Sequence, residues 1–496
     1  MDLRKGIEVK EKERGLEIVK RFADLGFQVQ PEAIALLSQS EVENRFDLNE
    51  IAESVTHSLD PSIFVISTEQ IAVFLRTNRA GGQREAQAPT IINSFSAVGR
   101  GVDHKDFLSH FRDRYEKISG ILKKRMNCGQ IRFIKRGRVG EEVSVVGMVS
   151  AVHKTAKGNL RVVLEDSTGH IPVIMRSQEE ILPDEIIGAT GPLFDGGYVV
   201  ANRVIYPDVP IPSSTLQSSL PLYATHSPDG GSHDNGERIY AVFISDMHVG
   251  SDTFLEDVWA RFAQWLKEEA KTIGIAYLVV AGDIVDGIGV YPGQEEELAI
   301  MDIEEQYKVA AGYFHDLPSH IHVVISPGNH DAVRNAEPQP PLPAALQKLF
   351  PDTTCFVSSP AYVDIGGRVV LLYHGQSYDD FVNAVSRLSY SKPEDVMVEM
   401  LRRRHVAPIY GNGVSIVPDG HDYGVIDRIP DIFHCGHTHT VGIAKYRNVL
   451  LINSGTWQSQ TPYQKKRDIR PVPGCAALVE LSGMTVKVMD FGCRTA

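Results

Sequence analysis

The chain has 496 residues, 43% of them hydrophobic and 23% charged, which is material for roughly three domains at about 150 residues each. Its formal net charge of −13 argues against a protein that coats nucleic acid unaided, because phosphate neutralisation dominates such binding, but leaves room for a nuclease beside a basic partner. No apolar run reaches the roughly 20 residues that span a bilayer, and the charged start "MDLRKGIEVKEKERG" lacks a signal-peptide core, so no membrane association is expected. From the N-terminus, 1–56 reads as a helical domain: "EIVKRFADLGFQVQPEAIALLSQS" spaces its apolar positions helically, and Pro31 suits a first helical turn. Residues 57–102 have the composition of a linker.

A helix plus a β domain is expected over 103–206. The helix covers 103–125; the strands follow in "EEVSVVGMVSAVHKT", "NLRVVLEDSTG", "HIPVIMR" and "GYVVANRVIYP", which alternate with period two between turn residues. Their size and order resemble an OB-fold. Binding of single-stranded nucleic acid and service as a docking platform stand as equal readings, since no row of exposed aromatics is evident. Lys123, Lys124, Arg125, Arg132, Lys135, Arg136 and Arg138 form a basic stretch, read as a solvated helix end and loop in preference to a phosphate track. Residues 207–236, rich in Pro, Ser, Gly and Asp, form the clearest linker. Residues 237–496 alternate strands and helices and then run mainly to strands, the pattern of a layered α/β domain with a mixed sheet. Cys128, Cys355, Cys435, Cys475 and Cys493 show no CxxC spacing and suit a reduced, cytoplasmic setting.

Polar residues close the strands of this last domain, where open α/β sheets place their sites. Asp246 and His248 stand in "SDMHVG", Asp283 in "AGDIVDG", Asn329, His330 and Asp331 in "PGNHD", His374 after "VVLLY", and His437 and His439 in "GHTH". Alternation puts His437 and His439 on one face, just past Gly436, where backbone can approach closely; Cys435 would face away, into the core. Carboxylate, amide and imidazole donors without thiolate suit manganese foremost, with iron or zinc as alternatives, and disfavour calcium. There are donors enough for two divalent metal ions sharing a carboxylate, an arrangement that clamps a phosphoryl group.

"DMH", "GDIVD", "GNHD", the strand-end histidine and "GHTH" resemble the calcineurin-like metallophosphoesterases over about 240–492. With the helical N-terminus and OB-like module, the whole chain resembles the small subunits of archaeal family D DNA polymerases. That resemblance implies a metal-dependent 3′–5′ exonuclease that proofreads DNA, partnered by a large catalytic polymerase subunit. It implies one metal on Asp246, His248, Asp283 and His439, with Asp283 bridging to a second on Asn329, His374 and His437. His330 would be the catalytic histidine that is not a ligand, with Asp331 orienting it or capping the next segment; Asp286 is set aside as an extra ligand. "GDIVDGIG" and "GNHD" depart from the GDxxDRG and GNHE of Ser/Thr phosphatases and weaken that reading. A mainly structural accessory subunit is the alternative. A free-standing phosphodiesterase for small metabolites is a third, against which the extra domains argue.

Overall fold

The computed structural model describes residues 15–38, 48, 51–52, 65–68, 71, 87–96, 101, 103–176, 178–211, 238–466 and 469–492. The expected linker at 207–236 therefore lies, beyond 211, outside the described residues, as do 1–14 of the N-terminal domain. Contacts divide the chain into two units, 1–85 and 86–496.

In the first unit, 15–24 is helical and Pro31–Leu37 forms a second helix with proline in its first turn, where the missing N–H is harmless. Ile18, Phe22, Ala33, Leu37, Ile51 and Ile66 make its core. Strand β1 (Gln28–Val29) pairs in parallel with β2 (Val65–Ile66), an addition to the helical expectation that two-residue strands could not announce by period.

The second unit opens with β3 (Thr90–Ser94), so the segment read as linker, 57–102, holds both β2 and β3. The reason is that β3 gains its order from main-chain pairing with a distant strand, while Ile91 and Ile92 stay 47% and 36% exposed, leaving no amphipathic signal. Helix His104–Lys123 follows, its N-terminus closed by a capping box between Asp103 and Asp106. Then come a short helical turn, Ile131–Ile134, and the strands β4 (Glu142–Lys154), β5 (Leu160–Asp166), β6 (Gly169–Met175), β7 (Ile186–Phe194), β8 (Tyr198–Val200) and β9 (Arg203–Ile205). They run in the order β4-β5-β6-β8-β7, and β4 pairs back onto β7 to close a five-stranded barrel, with β9 added to β7. Closure removes exposed edges, and Val145, Val149, Val162, Leu164, Ile171, Val173 and Ile187 fill the interior from the alternating positions that the sequence displays.

The remaining strands are β10 (Tyr240–Ile244), β11 (Ile275–Ala281), β12 (His322–Ser326), β13 (Thr354–Phe356), β14 (Ala361–Ile365), β15 (Arg368–Leu372), β16 (Ile432–Cys435), β17 (Val441–Tyr446), β18 (Val449–Ser454), β19 (Cys475–Glu480) and β20 (Thr485–Asp490). They form two six-stranded mixed sheets, β13-β12-β11-β10-β19-β20 and β17-β18-β16-β15-β14-β3. A layered mixed-sheet domain was expected; there are two sheets, because fully buried strands such as β11 carry apolar residues on both faces and leave sheet membership open. Phe243, Val279, Val363, Leu372 and Ile452 pack between the sheets. Helices Glu256–Ile273 and Ile303–His315 cover the outer face of the first sheet through Trp259, Phe262, Tyr307 and Phe314. Helices Tyr378–Ala384 and Pro393–Arg403 cover the second through Phe381, Val396, Met397 and Met400. Cys435 is buried in this outer layer, in the core position expected of it.

Candidate metal centre

The loops that leave β10, β11, β12, β15 and β16 meet at one place. Their tight exits strain the backbone: Asp246, His248, Asp283, His437 and His439 have φ of +53°, +55°, +51°, +69° and +57°, a region that side-chain-bearing residues seldom adopt and that clusters at functional sites. Two glycines permit the close approach. A Cβ on Gly282, itself at φ +82°, would lie 2.5 Å from His374 Nδ1 and 2.7 Å from the Gly328 nitrogen, and one on Gly436 would collide with Asp246 Oδ2.

The side chains converge as acceptors. His374 Nδ1 donates to the Ala281 carbonyl at 2.8 Å, which leaves Nε2 to face Asn329 Oδ1 at 3.0 Å and Asp283 Oδ2 at 3.2 Å. Asn329 Oδ1 is also 3.0 Å from His437 Nδ1. His248 Nδ1 meets Asp286 Oδ1 at 3.0 Å, and its Nε2 stands 3.1 Å from His439 Nε2 and 3.8 Å from Asp283 Oδ2. Asp246 Oδ1 is 3.4 Å from His439 Nε2, while the Asp246 carboxylate accepts the His437 main-chain N–H at 2.9 Å. Three ligand-spaced groups result: Asp246, His248 and His439; Asp246, Asp283 and His374; and His248, Asp283 and His330. Lone pairs facing lone pairs require a shared cation or protons between them, so the donor set fits divalent ions of the oxygen- and imidazole-binding kind.

The carboxylates and imidazoles also shift one another's protonation. Burial opposes charge on His248, but the Asp286 bond and the charges of Asp283, Asp286 and Asp246 outweigh it and push the imidazole up to about 9. Burial likewise opposes charge on His374, and the Asp283 charge and hydrogen bond raise it to about 10. Burial works against the Asp283 carboxylate, yet His374, His330 and His248 hold it well below the usual range. His437, where burial dominates, falls to about 4.

All the expected ligand residues, Asp246, His248, Asp283, Asn329, His374, His437 and His439, lie around this point, with His330 beside them, its ring 4.7 Å from that of His248. Asp331 does not orient His330. Its Oδ2 accepts from the Gly328 N–H at 2.9 Å and its Oδ1 from the Tyr307 hydroxyl at 2.9 Å. Burial and the Asp283 charge raise it to about 6, so it ties loop to helix. His330 is held instead by the Asp286 carbonyl, 2.7 Å from Nδ1. Asp286 thus serves two histidines from outside the ligand ring, a role that its spacing in "GDIVD" hinted at without specifying. Gln464, 2.8 Å from His439 Nδ1, and Asp379, 4.0 Å from His437 Nε2, were not foreseen, since neither sits at a strand end. The donors open on a cavity of about 250 Å³, also lined by Tyr291, Tyr390, Thr461 and Ile469.

The family model for the B-type subunits of DNA polymerases alpha and epsilon matches residues 241–441. The chain is 40% identical to the DNA polymerase II small subunit of Archaeoglobus fulgidus, over 96% of this chain and 98% of that one. It is 35% identical to the protein of that name from Halobacterium salinarum, over 88% and 86%, and 36% identical to that from Pyrococcus horikoshii, over 91% and 72%. A solved archaeal phosphodiesterase aligns with 50% of this chain and 98% of its own at 12% identity, with a TM-score of 0.27, too low a likeness to bear on function.

Proposed function

Because the chain belongs to the DNA polymerase II small-subunit family, that of the archaeal family D polymerases, we propose that it is the proofreading 3′–5′ exonuclease subunit of such a polymerase and a scaffold for a large catalytic subunit. The observation that carries this reading is the convergence of every donor a calcineurin-like metallophosphoesterase needs, with Asp283 shared between two of the ligand-spaced groups. Asp246, His248, Asp283 and His439 would hold one ion, and Asp283, Asn329, His374 and His437 a second, manganese foremost. Bound there, such ions lower the pKa of water and neutralise charge on a phosphoryl oxygen.

The chain's own groups supply the rest. Asp286 keeps Nδ1 of His248 occupied, so that Nε2 is the ligating atom. Asn329 is fixed between His374 and His437. With Nδ1 of His330 tied to a carbonyl, its Nε2 is the nitrogen that exchanges protons with the cavity. The attacking water gives up a proton to the cavity solvent as its oxygen bonds to phosphorus; the bond from phosphorus to the 3′-oxygen breaks with its electron pair passing to that oxygen, and His330, protonated at Nε2 from the cavity, donates that proton to it. The barrel is read as an OB-fold module of the same subunit.

The test is the purified full chain with manganese, offered single-stranded DNA and a mismatched primer terminus. Nucleotides should be released from the 3′ end by wild type and not by Asp283→Ala. A chain that binds metal yet hydrolyses neither substrate would leave only the accessory role.

A further inference from the structure

The two ends of the cleft differ in charge. Beyond His437 lies Asp379, whose Oδ1 accepts the Tyr390 hydroxyl at 2.6 Å and whose side chain is 45% exposed at the cavity rim. Beyond His439 lies the short helix Pro462–Lys466. Its Gln464 touches His439 and lines the cavity with Ile469, while Lys465, Lys466 and, past the helix, Arg470 are exposed. In a chain of net charge −13, the cavity thus has a carboxylate at its His437 side, and exposed basic residues adjoin in sequence the Gln464 and Ile469 that line its His439 side, two exits unequal to a polyanion.

We propose that this asymmetry sets the direction and the terminal preference of cleavage: Lys465 and Lys466 draw the body of the DNA strand toward the His439 end, and Asp379 closes the His437 end to any further phosphate. The inference rests on the exonuclease reading and deepens it. When the phosphate stays with the released nucleotide, the leaving 3′-oxygen belongs to the body of the strand. His330, which supplies its proton, stands beside His248, and His248 is the partner of His439. The strand body therefore lies on the basic side by chemistry as well as by charge, and the terminal nucleoside lies toward His437 and Asp379. A 3′-hydroxyl is tolerated beside Asp379 and can donate to it. A 3′-phosphate, or the next nucleotide of an unbroken strand, brings two like charges together, which disfavours its binding there. Asp379 is thus assigned as a specificity-determining residue.

The experiment uses the full chain with manganese and three probes: a 3′-hydroxyl oligonucleotide, the same oligonucleotide with a 3′-phosphate, and closed circular single-stranded DNA. Wild type should cleave the first far faster than the others. Asp379→Asn, which keeps an acceptor for Tyr390, should shrink that ratio about tenfold or more. Lys465→Ala with Lys466→Ala should raise KM on the first probe and flatten its salt dependence by roughly 0.7 in slope for each lost phosphate contact. Binding of the two linear probes to His330→Ala protein, read by fluorescence anisotropy, reports the same preference without hydrolysis. Unchanged discrimination in Asp379→Asn by rate and by binding overturns the inference while leaving the exonuclease reading intact. Failure of wild type to hydrolyse the 3′-hydroxyl probe overturns the exonuclease reading and the inference with it.

Discussion

Asp286 never reaches the point where the other donors meet, yet it touches both His248 and His330. A carboxylate in that position fixes the tautomer of a ligand imidazole and raises its basicity. Asp286→Ala should therefore weaken manganese binding about 10- to 100-fold, seen by calorimetric titration; unchanged affinity would remove its orienting role. Gly436 acts through what it lacks. A methyl there collides with Asp246 Oδ2 and with Ser245, so Gly436→Ala should lose bound metal, by elemental analysis, while circular dichroism stays that of wild type. Metal retention in that variant would show that the loop yields without moving Asp246.

Among the elements outside the candidate metal centre, helix His104–Lys123 takes part in a buried charge cluster. Its Arg114 Nε lies 2.5 Å from Asp422 Oδ2, and its His110 Nε2 lies 3.2 Å from the same oxygen. His405 Nε2 reaches it at 2.9 Å. Burial penalises the Asp422 carboxylate, but Arg114, His405 and His110 hold it well below the usual range; burial pulls His405 down to about 4. Both shifts have one sign. Below about 6.5 the unfolded chain protonates His405 before the folded chain does, and below about 3.9 it protonates Asp422 first. Stability contributed by Asp422 is thus complete above its unfolded value and is lost as pH falls through its lower folded value. The melting temperature should decline as pH drops below about 6.5 and go on declining below about 4, where Asp422 takes over from His405, and Asp422→Asn should blunt that lower limb. Asp422→Ala, which strands a buried guanidinium, should cost about 3–5 kcal/mol in denaturant unfolding.

At the scale of the whole molecule, an acidic chain must approach a polyanion, and its negative surface opposes that approach at low salt. Bound ions can fix one phosphate but not several nucleotides of strand. The large polymerase subunit proposed as partner would supply the DNA groove. The isolated chain should then cleave single strands weakly and with steep salt sensitivity, and the large subunit should raise cleavage of mismatched primer ends more than that of unstructured oligonucleotides. Equal rates on both substrates, with and without the partner, would mark a self-sufficient nuclease.

The chain declares its candidate metal donors locally. Each sits directly after an apolar strand pattern, and strand ends in an α/β sheet share one edge, so "SDMHVG", "GDIVDG", "GNHD" and "GHTH" together define a site before any fold is known. The barrel strands are legible for a related reason: one face is buried, and burial writes period two into the sequence. Other features depend on partners far away in the chain. The edge strand Thr90–Ser94 pairs with Ala361–Ile365 through main-chain groups that every residue carries, so its side chains reveal little. The division into two sheets is hidden because both faces of the buried strands are apolar. The separate duties of Asp286 and Asp331 follow from which atoms they meet across loops, and adjacency to His330 in sequence misplaced Asp331. Gln464 and Asp379 come from segments outside the strand-end motifs, and only the tertiary fold sets them beside His439 and His437.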